Sequence, residues 1–335
     1  MAGGGAIVHG VMRDCVLRRN GHIGGGPRGD GFLAERCLWE GNSWKPINRG
    51  WEAAGYKLTR VNGGVFRDCL FYRNGGSGLW LDIDPRNVLI TRCAFIENEL
   101  CGLFIEISRE ITVVRNLFLR NGIGIVGERG GWGDGGLKIA ESMDCVVAFN
   151  TSVGNKDGIT FREQGPRPLD GMPFYNRGHV IVGNVSAFNE GYQLGLWYDD
   201  AFFGWHPSER DSGAYESLEA FDAAVRREHP ERIHHPLEQG LVIERNVYWS
   251  EGEAPPFLYG VPWRPRHLKF ESFEAYRGHT GFDRQGRFAD PMFVDRAWDD
   301  YRFQEGSPVL QQRAGWYDVP SDLRAWITEL SDVSP

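Results

Sequence analysis

Cys69-Leu70-Phe71-Tyr72-Arg73-Asn74, Cys93-Ala94-Phe95-Ile96-Glu97-Asn98 and Asn116-Leu117-Phe118-Leu119-Arg120-Asn121 are three copies of one short phrase. Each opens on Cys or Asn, runs through three largely apolar residues and closes on Asn. Extended outward, the opening column reads Cys15, Cys37, Cys69, Cys93, Asn116, Asn150, Asn184 and Asn246, at spacings of 22, 32, 24, 23, 34, 34 and 62 residues. Five positions on stand Asn20, Asn42, Asn74, Asn98, Asn121, Asn155 and Asn189, with Glu251 in the eighth copy. A base period of 22–24 residues with longer exceptions describes a constant rung carrying insertions at fixed corners. The pieces between markers are short and alternating with Gly at the corners, so they read as strands. Helical patterns are absent between them, which excludes ankyrin, tetratricopeptide and βαβ architectures. What remains is an all-β fold, a parallel β-helix solenoid whose turns stack about 4.8 Å apart.

The column also accounts for four of the six cysteines, as an inward-facing stack that Asn continues as an amide ladder. No CxxC pair or His cluster accompanies them, so no metal site is expected, and free thiols suit a reducing compartment. The β-helix is expected over residues 1–255. It is interrupted at 201–240 by an insertion in which Tyr215–Glu228 has helical spacing. Residues 256–335 are expected to form a capping extension, with a short helix near Ser272–Tyr276, that covers the last open sheet edge. The ladder starts by Cys15 without a polar cap, so the first turn is exposed, paired or preceded by further chain.

Composition narrows the function. The 335 residues carry 37 Lys and Arg against 45 Asp and Glu, a net charge of −8, which argues against a nucleic-acid surface. No apolar run approaches the ~20 residues of a membrane span. The first residues lack the basic and apolar regions of a signal peptide, so the chain as written reads as cytoplasmic, or as secreted if further residues precede it. With 45 Gly, 12 Trp and 20 Phe it is turn-rich and core-forming.

Alternate side chains of a strand face opposite ways. In the rung strands that follow Gly55, Gly78, Gly102, Gly136, Gly158 and Gly195, the residues Leu79, Leu81, Ile83, Leu103, Ile105, Ile107, Leu137 and Ile139 fall on the core side. The other side gives two outward columns. One is Lys57, Trp80, Phe104, Lys138, Thr160, Trp197; the other is Thr59, Asp82, Glu106, Ala140, Arg162, Asp199. Asp82 and Glu106 each lie 13 residues after their column marker, hence side by side on adjacent turns, with Asp84 one alternation further. Like charges on neighbouring strands are destabilising, so a stacked acid pair calls for a purpose. Acids and bases beside large aromatics suit an oligo- or polysaccharide groove, because aromatic rings pack on the apolar faces of pyranoses. Insertions at 122–135, 163–178 and 201–240 would wall it. Asp82, Glu106 and Asp84 are the candidate catalytic residues. Glu52, Lys57, Trp80, Trp132, Lys138, Arg162, Trp197 and Asp199 are the candidate substrate contacts. Carboxyls roughly 5 Å apart match retaining rather than inverting glycosidases. Their proximity would raise one pKa and so supply a proton donor.

The run from Trp51-Glu52-Ala53-Ala54-Gly55-Tyr56-Lys57 through Gly78-Leu79-Trp80-Leu81-Asp82-Ile83-Asp84 to Phe104-Ile105-Glu106-Ile107-Ser108 resembles right-handed β-helix proteins of the pectate-lyase-like superfamily. Over residues 51–120 it is similar to glycoside hydrolase family 120, the β-xylosidases. That resemblance implies Asp82 as nucleophile and Glu106 as acid/base, with no cofactor. Asp290-Pro291-Met292-Phe293-Val294-Asp295 and Gly306-Ser307-Pro308 resemble the superfamily's C-terminal signature. Two other readings stay open. A polysaccharide lyase or epimerase acting on uronates would use Glu52, Lys57 and Arg162, with a Ca²⁺ held by acidic residues. A non-catalytic glycan-binding solenoid would leave the acids without turnover.

Overall fold

A computed structural model describes residues 6–8, 10–27, 29–122, 133–163, 167–198, 239–260 and 269–323, together with 325, 326 and 329. The helix expected at Tyr215–Glu228 lies outside these residues. Three long sheets run along the molecule, and each turn contributes one strand to each. The first sheet stacks Ala54–Thr59, Ser77–Asp82, Leu103–Glu106, Gly135–Ala140, Asp157–Glu163, Leu194–Tyr198 and Phe257–Gly260, all parallel. The second runs from Val11–Arg13 to Val242–Glu244 and the third from Val16–Arg18 to Arg287–Phe288. Among the described residues no helix is long and apolar enough to cross a membrane.

The repeated phrase is the third sheet with its two corners. Immediately before each marker the chain takes a left-handed residue: Asp68 (φ 56°) before Cys69, Arg92 (51°) before Cys93, Arg73 (51°) before Asn74 and Glu97 (55°) before Asn98. Such a residue bends the chain and strands backbone groups at the bend. The Asn side chains satisfy them. Asn98 Oδ1 accepts from the backbone N–H and the Nδ2 of Asn74 at 3.2 and 2.9 Å, while its own Nδ2 donates to the Phe71 carbonyl at 3.0 Å. The ladder continues through Asn121, Asn155 and Asn189. A second ladder, in the marker column, links Asn116, Asn150, Asn184 and Asn246 and ends on Asp283. Toward the start of the chain that column holds Cys37, Cys69 and Cys93, buried free thiols, with the less buried Cys15 before them. Glu251 does not extend the longer ladder. Gln193, four residues after Asn189, takes its Nδ2–H at 2.7 Å instead.

Inside, the central residue of the phrase builds a stack. Trp39, Phe71, Phe95 and Phe118 lie face to face at 4.7, 4.8 and 4.9 Å between ring centroids. The C-terminal extension does two jobs rather than one. The helix Phe273–Thr280, N-capped by Ser272 and closed by Gly281, plugs the end of the core with Phe273 and Tyr276. Phe293, Tyr301, Val309, Trp316 and Leu323 instead lie along the outer face of the third sheet, over Leu70, Ile96, Leu119 and Val185. That outer face is apolar, so an end cap alone would leave it wet.

Candidate functional site

The first sheet holds its strands close because glycine stacks on glycine at its entry corner. A Cβ on Gly78 would lie 2.6 Å from the Gly102 carbonyl oxygen, and one on Gly102 would lie 2.8 Å from that of Gly136. From that corner the outward residues fall in register: Lys57, Trp80, Phe104, Lys138 and Thr160 in one column. Asp82 follows Thr59 in the other, and the Trp80–Phe104 and Leu81–Ile105 pairs set it beside Glu106, ahead of Ala140 and Arg162.

The register changes at Trp197. Gly195 pairs with Thr160 and Trp197 with Arg162, two places from the expected alignment. Gly195 is not a corner glycine: its place is taken by Gln193, whose carbonyl a Cβ on Gly158 would approach to 2.6 Å. Trp197 is buried with its ring edge-to-face against Tyr192 and belongs to the second column. Asp199 and Trp132 lie outside the described residues. Asp84 also leaves the pattern. Ile83 (φ 61°) and Asp84 (φ 58°) are both left-handed, so alternation stops at Asp82, and the Asp84 carboxylate pairs with Arg86 and, at 2.8 Å, with Arg109.

The aromatic column is not an open platform. Trp80 is 3 % exposed and stacks on Phe104 at 5.2 Å. Lys57 Nζ lies 3.5 Å from the Trp80 centroid, and Lys138 Nζ lies 5.2 Å from that of Phe104, so cations cover both rings. Lys138 is buried against Asp134 at 3.0 Å. The acids are held by separate partners. Lys57 Nζ is 2.9 Å from Asp82 Oδ2 and donates to the Trp51 carbonyl at 2.8 Å. Glu106 Oε2 accepts from the Trp80 indole at 3.2 Å, and its Oε1 takes Arg162 at 3.0 Å and Arg167 at 2.8 Å. Burial raises the Asp82 carboxyl above the ordinary range; Lys57 opposes the rise and the Glu106 charge adds to it.

Asp82 lines a cleft of about 650 Å³ with Lys57, Glu52, Trp51, His22 and Arg60. Trp51 stands at its rim, 69 % exposed, and Glu52 pairs with His22 at 3.0 Å. The expected wall at 163–178 contains a hairpin, Arg167–Leu169 with Met172–Phe174. It reaches across the sheet through Arg167 to Glu106 and through Asp170 to Arg60 at 2.5 Å. Residues 123–132 and 201–238 of the other two walls lie outside the described residues. His22 and Arg60 were not legible as site residues, because they reach the cleft from outside the strand columns. Trp51 has a signal in the sequence, since it stands beside Glu52 near the end of the long insertion of its turn.

No group of three or more His, Cys, Asp or Glu able to hold a metal occurs among the described residues. Among the described residues the Ca²⁺ of the lyase reading finds no fitting donor set: the Asp82 and Glu106 oxygens face Lys57, Arg162 and Arg167, whereas Ca²⁺ takes six to eight oxygen ligands.

A family model described as a right-handed β-helix region matches residues 4–152, the turns that carry Asp82 and Glu106. The fold is an all-β right-handed parallel β-helix. Over 71 residues the chain is 34 % identical to the uncharacterized protein YwoF of Bacillus subtilis (strain 168), a match covering 21 % of this chain and 14 % of that one. No solved structure matches significantly.

Proposed function

We propose that the chain is a carbohydrate-active enzyme that hydrolyses glycosidic bonds in the cleft at Asp82. The observation that carries this reading is a carboxyl, raised by burial and by a second stacked carboxylate, facing a cleft rimmed by an exposed indole. A raised carboxyl keeps its proton long enough to give it to a leaving oxygen. Glu106 has both oxygens engaged by donors, which supports a role as fixed negative charge behind Asp82. Glu52 shares the cleft and is half exposed beside His22, so it is the carboxylate positioned to take a proton from water.

The test is release of chromogenic glycosides by the wild-type chain and by Asp82→Asn, Glu106→Gln and Glu52→Gln. Loss of about 10²–10⁴-fold is expected for Asp82→Asn; an unchanged rate in that variant removes the reading. The product anomer then separates two schemes. Inversion fits Glu52 as base, whereas retention fits a covalent step on the stacked Asp82–Glu106 pair.

A second reading has its own support. The Lys57 ammonium and Arg60 line the same cleft, where two cations would neutralise a uronate carboxylate and so acidify the proton beside it, with Glu52 as the base that takes it. Unsaturated, ultraviolet-absorbing products from polygalacturonate, lost in Lys57→Ala, would favour a lyase over the hydrolase.

A further inference from the structure

The insertion that lengthens the third turn, residues 43–53, carries two largely exposed tryptophans, the first with Lys45 Nζ 5.8 Å from its ring centroid. Trp44 is 59 % exposed and Trp51 is 69 % exposed. The loop is nevertheless fixed. The Trp44 indole donates to the Arg19 carbonyl at 3.0 Å, which anchors the ring edge. Arg49 donates to the Ser43 and Lys45 carbonyls and pairs with Glu99 at 3.0 Å. The Trp51 carbonyl is held by Lys57, the same ammonium that holds Asp82. A hollow of about 690 Å³ is lined by Trp44 and residues 46–50, and the Asp82 cleft begins at the next residue, Trp51. Consecutive stretches of one loop therefore line the two hollows, each with an exposed indole.

We infer that Trp44 and Trp51 form a stacking platform for successive sugar rings, so that the ligand is a polysaccharide chain running from the Asp82 cleft across this loop. The inference rests on the carbohydrate reading of the cleft and deepens it from a sugar to a chain. The chemistry fits: indole faces take the C–H faces of pyranoses, while the exposed Asn48 between them offers an amide to hydroxyls. A loop already ordered loses little entropy when such a chain lands on it.

The experiment measures binding of xylan and polygalacturonate oligomers, from the disaccharide upward, to Asp82→Asn protein, which leaves the chain uncut. Affinity is expected to rise with oligomer length. Trp44→Ala and Trp51→Ala should each weaken binding of the long oligomers roughly tenfold and flatten the length dependence. Trp298→Ala, an equally exposed tryptophan far along the chain, is the control and should bind as the parent does. The platform is overturned if neither loop variant changes affinity, if Trp298→Ala weakens it as much, or if no oligomer binds. Asp82-dependent release of small chromogenic glycosides in any of those cases leaves the hydrolase standing without the platform; its loss falls on the shared reading.

Discussion

Asp82 and Glu106 are stacked by the fold and distinguished by their partners. One lysine holds Asp82, while two guanidinium groups and an indole N–H hold Glu106. If Asp82 gives a proton, the rate falls as pH rises through its pKa. Removing the Glu106 charge takes away one cause of the raised value. Glu106→Gln should therefore move the alkaline limb of kcat/KM to lower pH; an unmoved limb means that Asp82 is not the acid. Asp157 makes a stability prediction of the same kind. Burial raises its carboxyl to about 6. The folded chain then binds a proton that the unfolded chain releases near pH 4, so this group's contribution to stability declines between roughly pH 4 and 6. The full effect is on the order of 3 kcal/mol. Asp157→Asn should flatten that part of the melting-temperature profile, and parallel profiles for the two proteins would exclude it. At this scale the stacked acids were legible in the sequence, because both sit at one fixed distance from their column. The burial of Trp80 was not: its cover comes from Lys57 one turn away, and strand alternation carries no information about what lies above a face.

The corner is the unit that repeats. A left-handed residue, a Cys or Asn, three strand residues, a second left-handed residue and an Asn together form one edge of the solenoid. Asn98→Ala would take the side-chain partner from the Phe71 carbonyl and the Asn74 backbone N–H, and one bond each from the Asn74 and Asn121 amides. A loss of about 2–4 kcal/mol in chemical denaturation is expected, because buried polar groups left unpaired cost more than the bonds themselves gain. A loss below 1 kcal/mol would show that water substitutes for the amide. The same unit explains which registers could be read. From Gly55 to Gly158 a Gly opens each strand of the first sheet whatever the length of chain between it and the ladder Asn, and reckoned from that Gly the outward columns align. At Gln193 a side-chain amide occupies the corner, and reckoning from the nearest Gly displaces Trp197 by two places.

At the scale of the whole molecule, the middle turns of the third sheet are buried on both faces. The aromatic stack fills its inside, and the C-terminal segment covers Leu70, Ile96 and Leu119 outside. The segment is fastened by polar contacts too: Arg120 pairs with Asp299 at 2.7 Å, and Gly315 donates to the Gly183 carbonyl at 2.7 Å. A chain ending at residue 290 should bind hydrophobic dyes and melt at a lower temperature than the full chain. An unchanged melting temperature would show that this face is stable in water. The solenoid itself was legible from its period. The course of the C-terminal segment was not, because it returns along the side of turns far earlier in sequence and follows no repeat.

The amide columns have a direction. From Asn20 to Gln193 each Nδ2 donates to the side-chain oxygen of the next amide in the column, and from Asn42 to Asn155 it also donates to a backbone carbonyl of the preceding turn, so the bonds between side chains all run one way, head to tail like cells in a battery. The shorter column runs the same way and ends on Asp283, whose carboxylate accepts from Asn246 and Tyr248. An ionised carboxylate has no hydrogen to pass on, so it terminates the series. A turn spliced into the longer column must therefore bring an amide at that corner and point it the same way, and a reversed or missing one would divide the series into two.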